Sequence, residues 1–79
     1  MKHAREDYNR FQDPLNKIPE DEPVFLIRGQ DIVGPDVLRH YASLAMNNGA
    51  DKVLVNAVLE HAKAMEEWQI KHKWKIPDM

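Results

Sequence analysis

Three polar residues, Arg28, Gln30 and Asp31, have the types and the placement of a small anion-binding site. They follow a predicted strand and precede a predicted helix that begins at Pro35, and binding groups often collect in such loops. An arginine beside the N–H groups of a helix start suits a phosphate. The alternative is purely local: Arg28 pairs with Asp31 or Asp36, and Gln30 caps the turn.

Four further residues could complete a binding site from two predicted helices. Tyr41 or Trp68 could stack on a base, whereas His61 and His72 lie on one apolar seam of the second helix. A histidine there is either packed with a single hydrogen bond or acts as a ligand-binding or pH-sensitive group. Eleven residues separate the two histidines, so a shared metal would need symmetry-related chains. We expect no metal and no other cofactor.

The sequence contains no recognisable catalytic signature. It has no glycine-rich phosphate loop, no HExxH motif, no nucleophile elbow and no cysteine, so we expect a protein that is not an enzyme. The basic run KHKWK at residues 71–75 could bind a nucleic-acid phosphate or stack a base on Trp74. It could equally complement the dipole at a helix C-terminus. The net charge of −2 argues against a duplex-DNA binder.

Composition limits the size and the surroundings of the protein. Its 79 residues allow one domain at most, and a core of that size supplies roughly 3–5 kcal/mol. No cysteine is present to add a disulfide. No apolar run approaches the ~18 residues of a membrane span, and the N-terminus lacks the apolar centre of a signal peptide. We therefore expect a soluble protein of the cytoplasm without membrane contacts.

The longest apolar run predicts the one strand of the fold. Residues 24–28 are rich in β-branched and aromatic side chains and are bounded by Pro23 and Gly29. A lone strand cannot satisfy its backbone groups, so it should pair with the N-terminal segment or with a copy of itself across a dimer. The alternative is an extended buried segment. We expect a polar arm over residues 1–22 and a domain over residues 23–79.

Two helices, over about residues 35–47 and 51–73, complete the predicted fold. The fold class is mainly α, with one short strand followed by an antiparallel helical hairpin. Asn48-Gly49 stops the first helix and Asp51 caps the second. The second helix carries a heptad seam, formed by Leu54, Val58, His61, Met65, Trp68 and His72. Since this helix outruns the first, its C-terminal half overhangs, which predicts a homo-oligomer, most simply a two-fold dimer.

Much of the chain resembles a group of small tailed-phage accessory proteins. The likeness covers residues 19–79 and is carried by PEDEPVFLIRGQD at 19–31, Tyr41-Ala42 with Leu44, and Trp68-Gln69 with Pro77-Asp78-Met79. The group has alanine in place of Gly29, which implies that no positive φ is required there. The resemblance implies a phage protein that works by binding in a bacterial cytoplasm. Such proteins block host defence enzymes or sequester the nucleotide signals of those defences.

Together these features suggest a non-enzymatic, oligomeric binding protein that antagonises a bacterial anti-phage defence by holding a cyclic or other nucleotide signal between subunits. A chain this small cannot bury a ligand alone. Arg28 and a helix N-terminus would meet the phosphate, and Tyr41 or Trp68 would stack on the base. The alternative is a protein-interaction module that docks on a host or phage protein without any small ligand.

Overall fold

The structure consists of two packed helices and a small two-stranded sheet. It is a computed structural model that describes residues 2–5 and 13–78. The elements are β1 (Lys2–His3), β2 (Pro23–Val24), α1 (Gly34–Asn47) and α2 (Lys52–Lys71). The predicted mainly helical fold with a helical hairpin is confirmed. Within the described residues, no helix combines the length and the apolarity that crossing a bilayer requires.

Helix α1 begins and ends at signals that the sequence carries. Pro35 and Asp36 lie in its first turn, where a missing N–H is tolerated and a carboxylate meets the positive end of the helix dipole. The N-cap position, Val33, offers no capping side chain, and the Oδ1 of Asp31 accepts a hydrogen bond from the Val33 N–H at 3.0 Å. The helix is followed by Gly49 with a φ of 85°. Its predicted bounds are confirmed to within one residue.

Helix α2 starts from a side-chain cap. The Oδ1 of Asp51 accepts a hydrogen bond from the Val53 N–H at 2.8 Å, which satisfies a donor that the helix itself leaves open. The helix ends at Lys71, two residues before the predicted end. At His72 the backbone leaves the helical conformation. The tail that follows then pairs with the loop before α1 through Lys75.

Small side chains make the contact between the two helices. The buried apolar residues within the described part of the chain are Ala42, Val55, Ala62 and Met65. A Cβ placed on Gly34 would lie 3.3 Å from both the Cγ2 of Ile27 and the Sδ of Met65. The start of α1 therefore lies against the late part of α2, as an antiparallel hairpin requires, and glycine allows this close approach.

The seam of α2 that faces α1 confirms Val58 and Met65 of the predicted seam and differs from it at the other positions. The inward positions are Val55, Val58, Ala62, Met65 and Gln69. Leu54, His61, Trp68 and His72, which the sequence analysis placed on the seam, are exposed. The reason is steric: a heptad pattern favours large apolar residues, whereas close helix packing uses a small residue such as Ala62 and leaves bulkier neighbours on the flank.

An ion pair joins the helices on one side of the hairpin. Arg39 of α1 donates a hydrogen bond to the Oε1 of Glu66 of α2, and its Nη1 lies 3.3 Å from the Oδ1 of Asp36. The hydrogen bond to Glu66 raises the pKa of Arg39, which therefore stays charged. An exposed pair of this kind adds little stability, but it shows which flanks of the two helices lie on the same side.

The strand is shorter than predicted and its partner is the arm. β2 covers Pro23–Val24 rather than residues 24–28, and it pairs in parallel with β1. β1 likewise covers only two residues, and the register pairs Lys2 with Pro23 and His3 with Val24. Phe25, which follows β2, is 72% exposed, so the alternative of an extended buried segment does not hold at this residue. Residues 6–12 of the predicted arm lie outside the described residues.

Gly49 should be sensitive to substitution because its φ of 85° lies in the left-handed region, where a Cβ meets the following carbonyl oxygen. We expect Gly49→Ala to lower the free energy of unfolding by about 1–2 kcal/mol, as measured by urea denaturation. Gly29→Ala is the matched control, since both positions have open space but Gly29 lacks a left-handed φ. We expect Gly29→Ala to raise the free energy of unfolding by no more than about 0.5–1 kcal/mol. Equal losses in the two variants would contradict this explanation.

Candidate functional site

A cleft of about 190 Å³ lies between three separate segments of the chain: the N-terminal arm, the residues after β2, and the C-terminal tail that follows α2. Its lining includes the cations Arg5, Arg28 and Lys75 and the apolar residues Phe25, Ile76 and Pro77. We call it the arm–tail cleft. Each of the three segments contributes one cation, so the charge of the cleft depends on the fold and not on any one stretch of sequence.

Backbone hydrogen bonds tie the tail to the turn before α1. The Lys75 N–H donates to the carbonyl oxygen of Gln30 at 2.7 Å, and the Ile32 N–H donates to the carbonyl oxygen of Lys75 at 3.0 Å. Lys75 and Asp31 thereby form an isolated parallel bridge. This pairing brings the end of the tail to the same side of the molecule as Arg28.

Gln69 holds the same turn from the helix side. Its Nε2 donates to the carbonyl oxygens of Gly29 at 2.9 Å and Asp31 at 2.8 Å, and both hydrogen bonds are partly buried. A partly buried carbonyl without a partner is costly, which explains why the inward seam of α2 carries a glutamine at this point. The turn is thus fixed between α2 and the tail.

Carboxylates partly balance the cations. The Oδ2 of Asp78 lies 3.4 Å from the Nζ of Lys75, and its Oδ1 lies 3.9 Å from the Nη1 of Arg5. The same Nη1 donates to the backbone carbonyl oxygen of Asp78 at 2.8 Å. Asp31 also lines the cleft, so the part of the lining that the structure describes carries three cations and two carboxylates. The cleft therefore holds a carboxylate of its own chain against two of its cations.

Three of the seven predicted site residues, Arg28, Gln30 and Asp31, line the cleft. Asp31 also serves the start of α1: its carboxylate accepts from the Val33 N–H, and its backbone carbonyl accepts from the Gly34 N–H at 2.9 Å. These contacts use N–H groups that we expected to face an anion. Anion binding in the cleft would therefore depend on side-chain cations more than on the helix start.

The other four predicted site residues lie on the helices or at a helix end and do not line the cleft. They are Tyr41 on α1, His61 and Trp68 on α2, and His72 at the C-cap of α2, all exposed. The Trp68 and His72 rings stack with centroids 4.2 Å apart and planes 13° apart, and the His72 Nδ1 lies 3.0 Å from the Trp68 carbonyl oxygen. One face of the Trp68 indole is therefore covered by its own chain. A single copy does not bring these residues together with Arg28.

Of the lining residues that were not among the predicted site residues, three matter most for binding: Arg5, Phe25 and Lys75. Arg5 contacts Asp78 across 73 positions of sequence, and no local pattern joins residues so far apart. Phe25 was assigned to the strand, and Lys75 to a basic run at a helix end. The available signal was the tail itself, where a basic run is followed by a proline and an aspartate, but nothing in it shows that the chain folds back.

Among the residues that the structure describes, no three His, Asp or Glu side chains cluster as the ligands of a metal ion would. The arm–tail cleft combines two arginines with an apolar, partly aromatic wall. No family model, curated protein or solved structure matches this chain.

Proposed function

We propose that the chain is a non-enzymatic binding protein that takes a phosphate-bearing nucleotide in the arm–tail cleft. The supporting observation is that Arg5, Arg28 and Lys75 converge on one cavity from three segments. Arginine grips phosphate oxygens with a planar fork, and lysine adds a compact charge. The Asp78 carboxylate between Arg5 and Lys75 is an example of the anion that this arrangement attracts.

The size of the cleft suggests how a nucleotide would lie in it. A cavity of about 190 Å³ is smaller than the ~300–1,000 Å³ of pockets that enclose drug-sized ligands. It suits a phosphate and part of a sugar, so the base would lie on the rim. Phe25 lines the cleft and is 72% exposed, which offers an aromatic face for base stacking. Phe25 takes the role that the sequence analysis gave to Tyr41 or Trp68.

The cellular role that we propose comes from the resemblance to small tailed-phage proteins. A phage protein that binds a nucleotide without converting it lowers the free concentration of that nucleotide in the host cytoplasm. If the nucleotide is a cyclic or linear signal of an anti-phage defence, binding alone weakens the defence. Binding alone requires no catalytic residue.

Arg28→Ala tests the proposed site. A thermal-shift screen of cyclic and linear nucleotides identifies the ligand, and calorimetric titration then gives the dissociation constant of each variant. Loss of a hydrogen bond to a charged group removes roughly 1.5–3 kcal/mol, or about 10- to 150-fold in Kd. Arg28→Lys should recover part of the loss, because an ammonium group cannot bind two oxygens in parallel.

Arg39→Ala is the matched control, since Arg39 is an exposed arginine outside the lining of the cleft. It should leave nucleotide affinity unchanged. Asp78→Asn should raise affinity about two- to fivefold, the scale of an exposed charge pair, because it removes a competing carboxylate. If no nucleotide stabilises the protein, or if Arg28→Ala and Arg39→Ala bind alike, the proposal is wrong.

A second candidate function is a protein-interaction module without a small ligand. The observation in its favour is a second, shallow hollow lined by Glu66, Gln69, Ile70 and Trp74, where Ile70 is 83% exposed and Trp74 is 56% exposed. A host or phage protein docked there would leave every nucleotide in the screen without effect. Its affinity would fall in Trp74→Ala and stay the same in Arg28→Ala, which is the reverse of the pattern expected for a phosphate site.

A further inference from the structure

Close packing through small residues leaves large apolar side chains on one flank of α1. Val37, Tyr41 and Leu44 recur at steps of four and three, so they form one line along the helix. They are 41%, 52% and 50% exposed, respectively. The side of α1 that meets α2 is formed instead by residues such as Gly34 and Ala42, which are buried.

Helix α2 has a matching flank. Leu54, His61 and Trp68 recur at steps of seven, and Leu54 and Trp68 are 43% and 41% exposed. Between them on the same flank lie Ala57 and Ala64, which are also exposed. These are the positions that the sequence analysis expected to pack inside the hairpin or to overhang it.

The Arg39–Glu66 ion pair shows that the two flanks lie on the same side of the hairpin. At ~100° per residue, Arg39 points about 170° away from the Val37–Leu44 line, and Glu66 points about 160° away from Trp68. Since Arg39 and Glu66 contact each other on one side, both apolar flanks must lie on the other. We call this surface the hairpin face; it comprises Val37, Tyr41, Leu44, Leu54, Ala57, His61, Ala64 and Trp68.

The composition of the hairpin face is that of a protein interface. None of its members is a Lys, Arg, Asp or Glu, although 30% of the whole chain is charged. It carries one tyrosine and one tryptophan, and depletion of charge with enrichment of aromatic residues distinguishes the centre of protein–protein interfaces. The opposite side of the hairpin carries the exposed charges of Arg39 and Glu66.

We propose that the hairpin face is the contact between two copies of this chain, related by a two-fold axis, so that two hairpins form a four-helix assembly. A surface without charge needs no complementary partner and can pair with itself. At the average share per residue of the 6538 Å² of accessible surface, its eight members expose roughly 660 Å² per copy. A symmetric pair that covered them fully would bury roughly 1,300 Å², near the lower end of the ~1,200–2,000 Å² of specific interfaces.

The small core of one chain gives a second reason for a second copy. Four apolar side chains are buried within the described residues, and a chain of this size buries only about 60% of the surface that its unfolded form exposes. Covering the hairpin face would add two aromatic and three aliphatic side chains to the buried set. This dimer is independent of the nucleotide proposal, because none of its residues lines the arm–tail cleft.

The test is the mass of the unmodified protein by sedimentation equilibrium over about 1–200 µM, with variants beside it. We expect a dimer that dissociates on dilution. Trp68→Asp and, separately, Tyr41→Asp should give monomers at concentrations where the unmodified protein is dimeric, with the helical circular dichroism signal largely kept. Ile70→Asp is the matched control, since Ile70 is 83% exposed on another flank of α2, and it should remain dimeric.

A monomer at every concentration overturns the proposal, whether or not any variant folds. So does a dimer that persists in both Trp68→Asp and Tyr41→Asp, since the contact would then lie elsewhere. A monomer that sediments with anionic phospholipid vesicles, and fails to do so as Trp68→Asp, would assign the hairpin face to a lipid surface and not to a second copy.

Discussion

Replacing Met65 with aspartate should unfold the protein. Met65 is only 8% exposed, and its sulfur lies against Gly34 at the start of α1. An unpaired carboxylate in that position costs several kcal/mol, which equals or exceeds the roughly 3–5 kcal/mol that a domain of this size has available. We expect loss of the helical circular dichroism signal at 25 °C and of the cooperative thermal transition.

Ile70→Asp is the control for Met65→Asp, because Ile70 lies on the same helix and is 83% exposed. Its melting temperature should stay within a few degrees of the unmodified protein. The heptad pattern placed Met65 and Trp68 on one seam of the second helix. The structure separates them: Met65 is inside the hairpin and Trp68 is outside it. A folded Met65→Asp variant would contradict the described packing.

The second large effect is expected at Gln69. In Gln69→Glu, a carboxylate would replace the amide that donates to the carbonyl oxygens of Gly29 and Asp31. Two acceptors would then lose their donor and face a negative charge, so we expect a loss of about 2–4 kcal/mol in the free energy of unfolding. Urea denaturation measures this loss.

Gln69→Met separates the charge from the missing hydrogen bonds. The methionine side chain has a similar length and no donor, so it should cost about 1–3 kcal/mol, less than Gln69→Glu. If Gln69→Glu is as stable as the unmodified protein, the turn before α1 is not held in the way described. Both variants should also lower the affinity of the arm–tail cleft for any ligand, because the turn carries the lining residues Gln30 and Asp31.

Local signals made the helices predictable. Pro35, Asp51 and Gly49 each act through their own backbone or through a neighbour two residues away, so their effect can be inferred without knowing the fold. The seam of α2 could not be inferred in the same way. Leu54 and Val55 are adjacent and both apolar. Which of the two packs against α1 depends on the small residues that α1 presents, such as Ala42.

The candidate site shows the same limit. Arg28 could be identified because a strand-to-helix loop is a common place for binding groups. Its neighbours in the cleft could not, because Lys75 reaches it only after the chain turns back at His72. Arg5 reaches it only because two residues of the arm pair with β2. These contacts join residues that are far apart along the chain, so a periodic pattern in a single sequence does not predict them.

The most direct test of the proposed site is an amide chemical-shift titration of the ¹⁵N-labelled, unmodified protein. The probes are inorganic phosphate and the nucleotide that raises the melting temperature most. The nucleotide should shift the amides of Arg5, residues 25–31 and residues 75–78, with weaker shifts of the same set by phosphate. Amides around Tyr41 on the hairpin face should not move. A phosphate site in the arm–tail cleft would be contradicted if the largest shifts fell on amides of α1 and α2. It would also be contradicted if millimolar ligand shifted no amide.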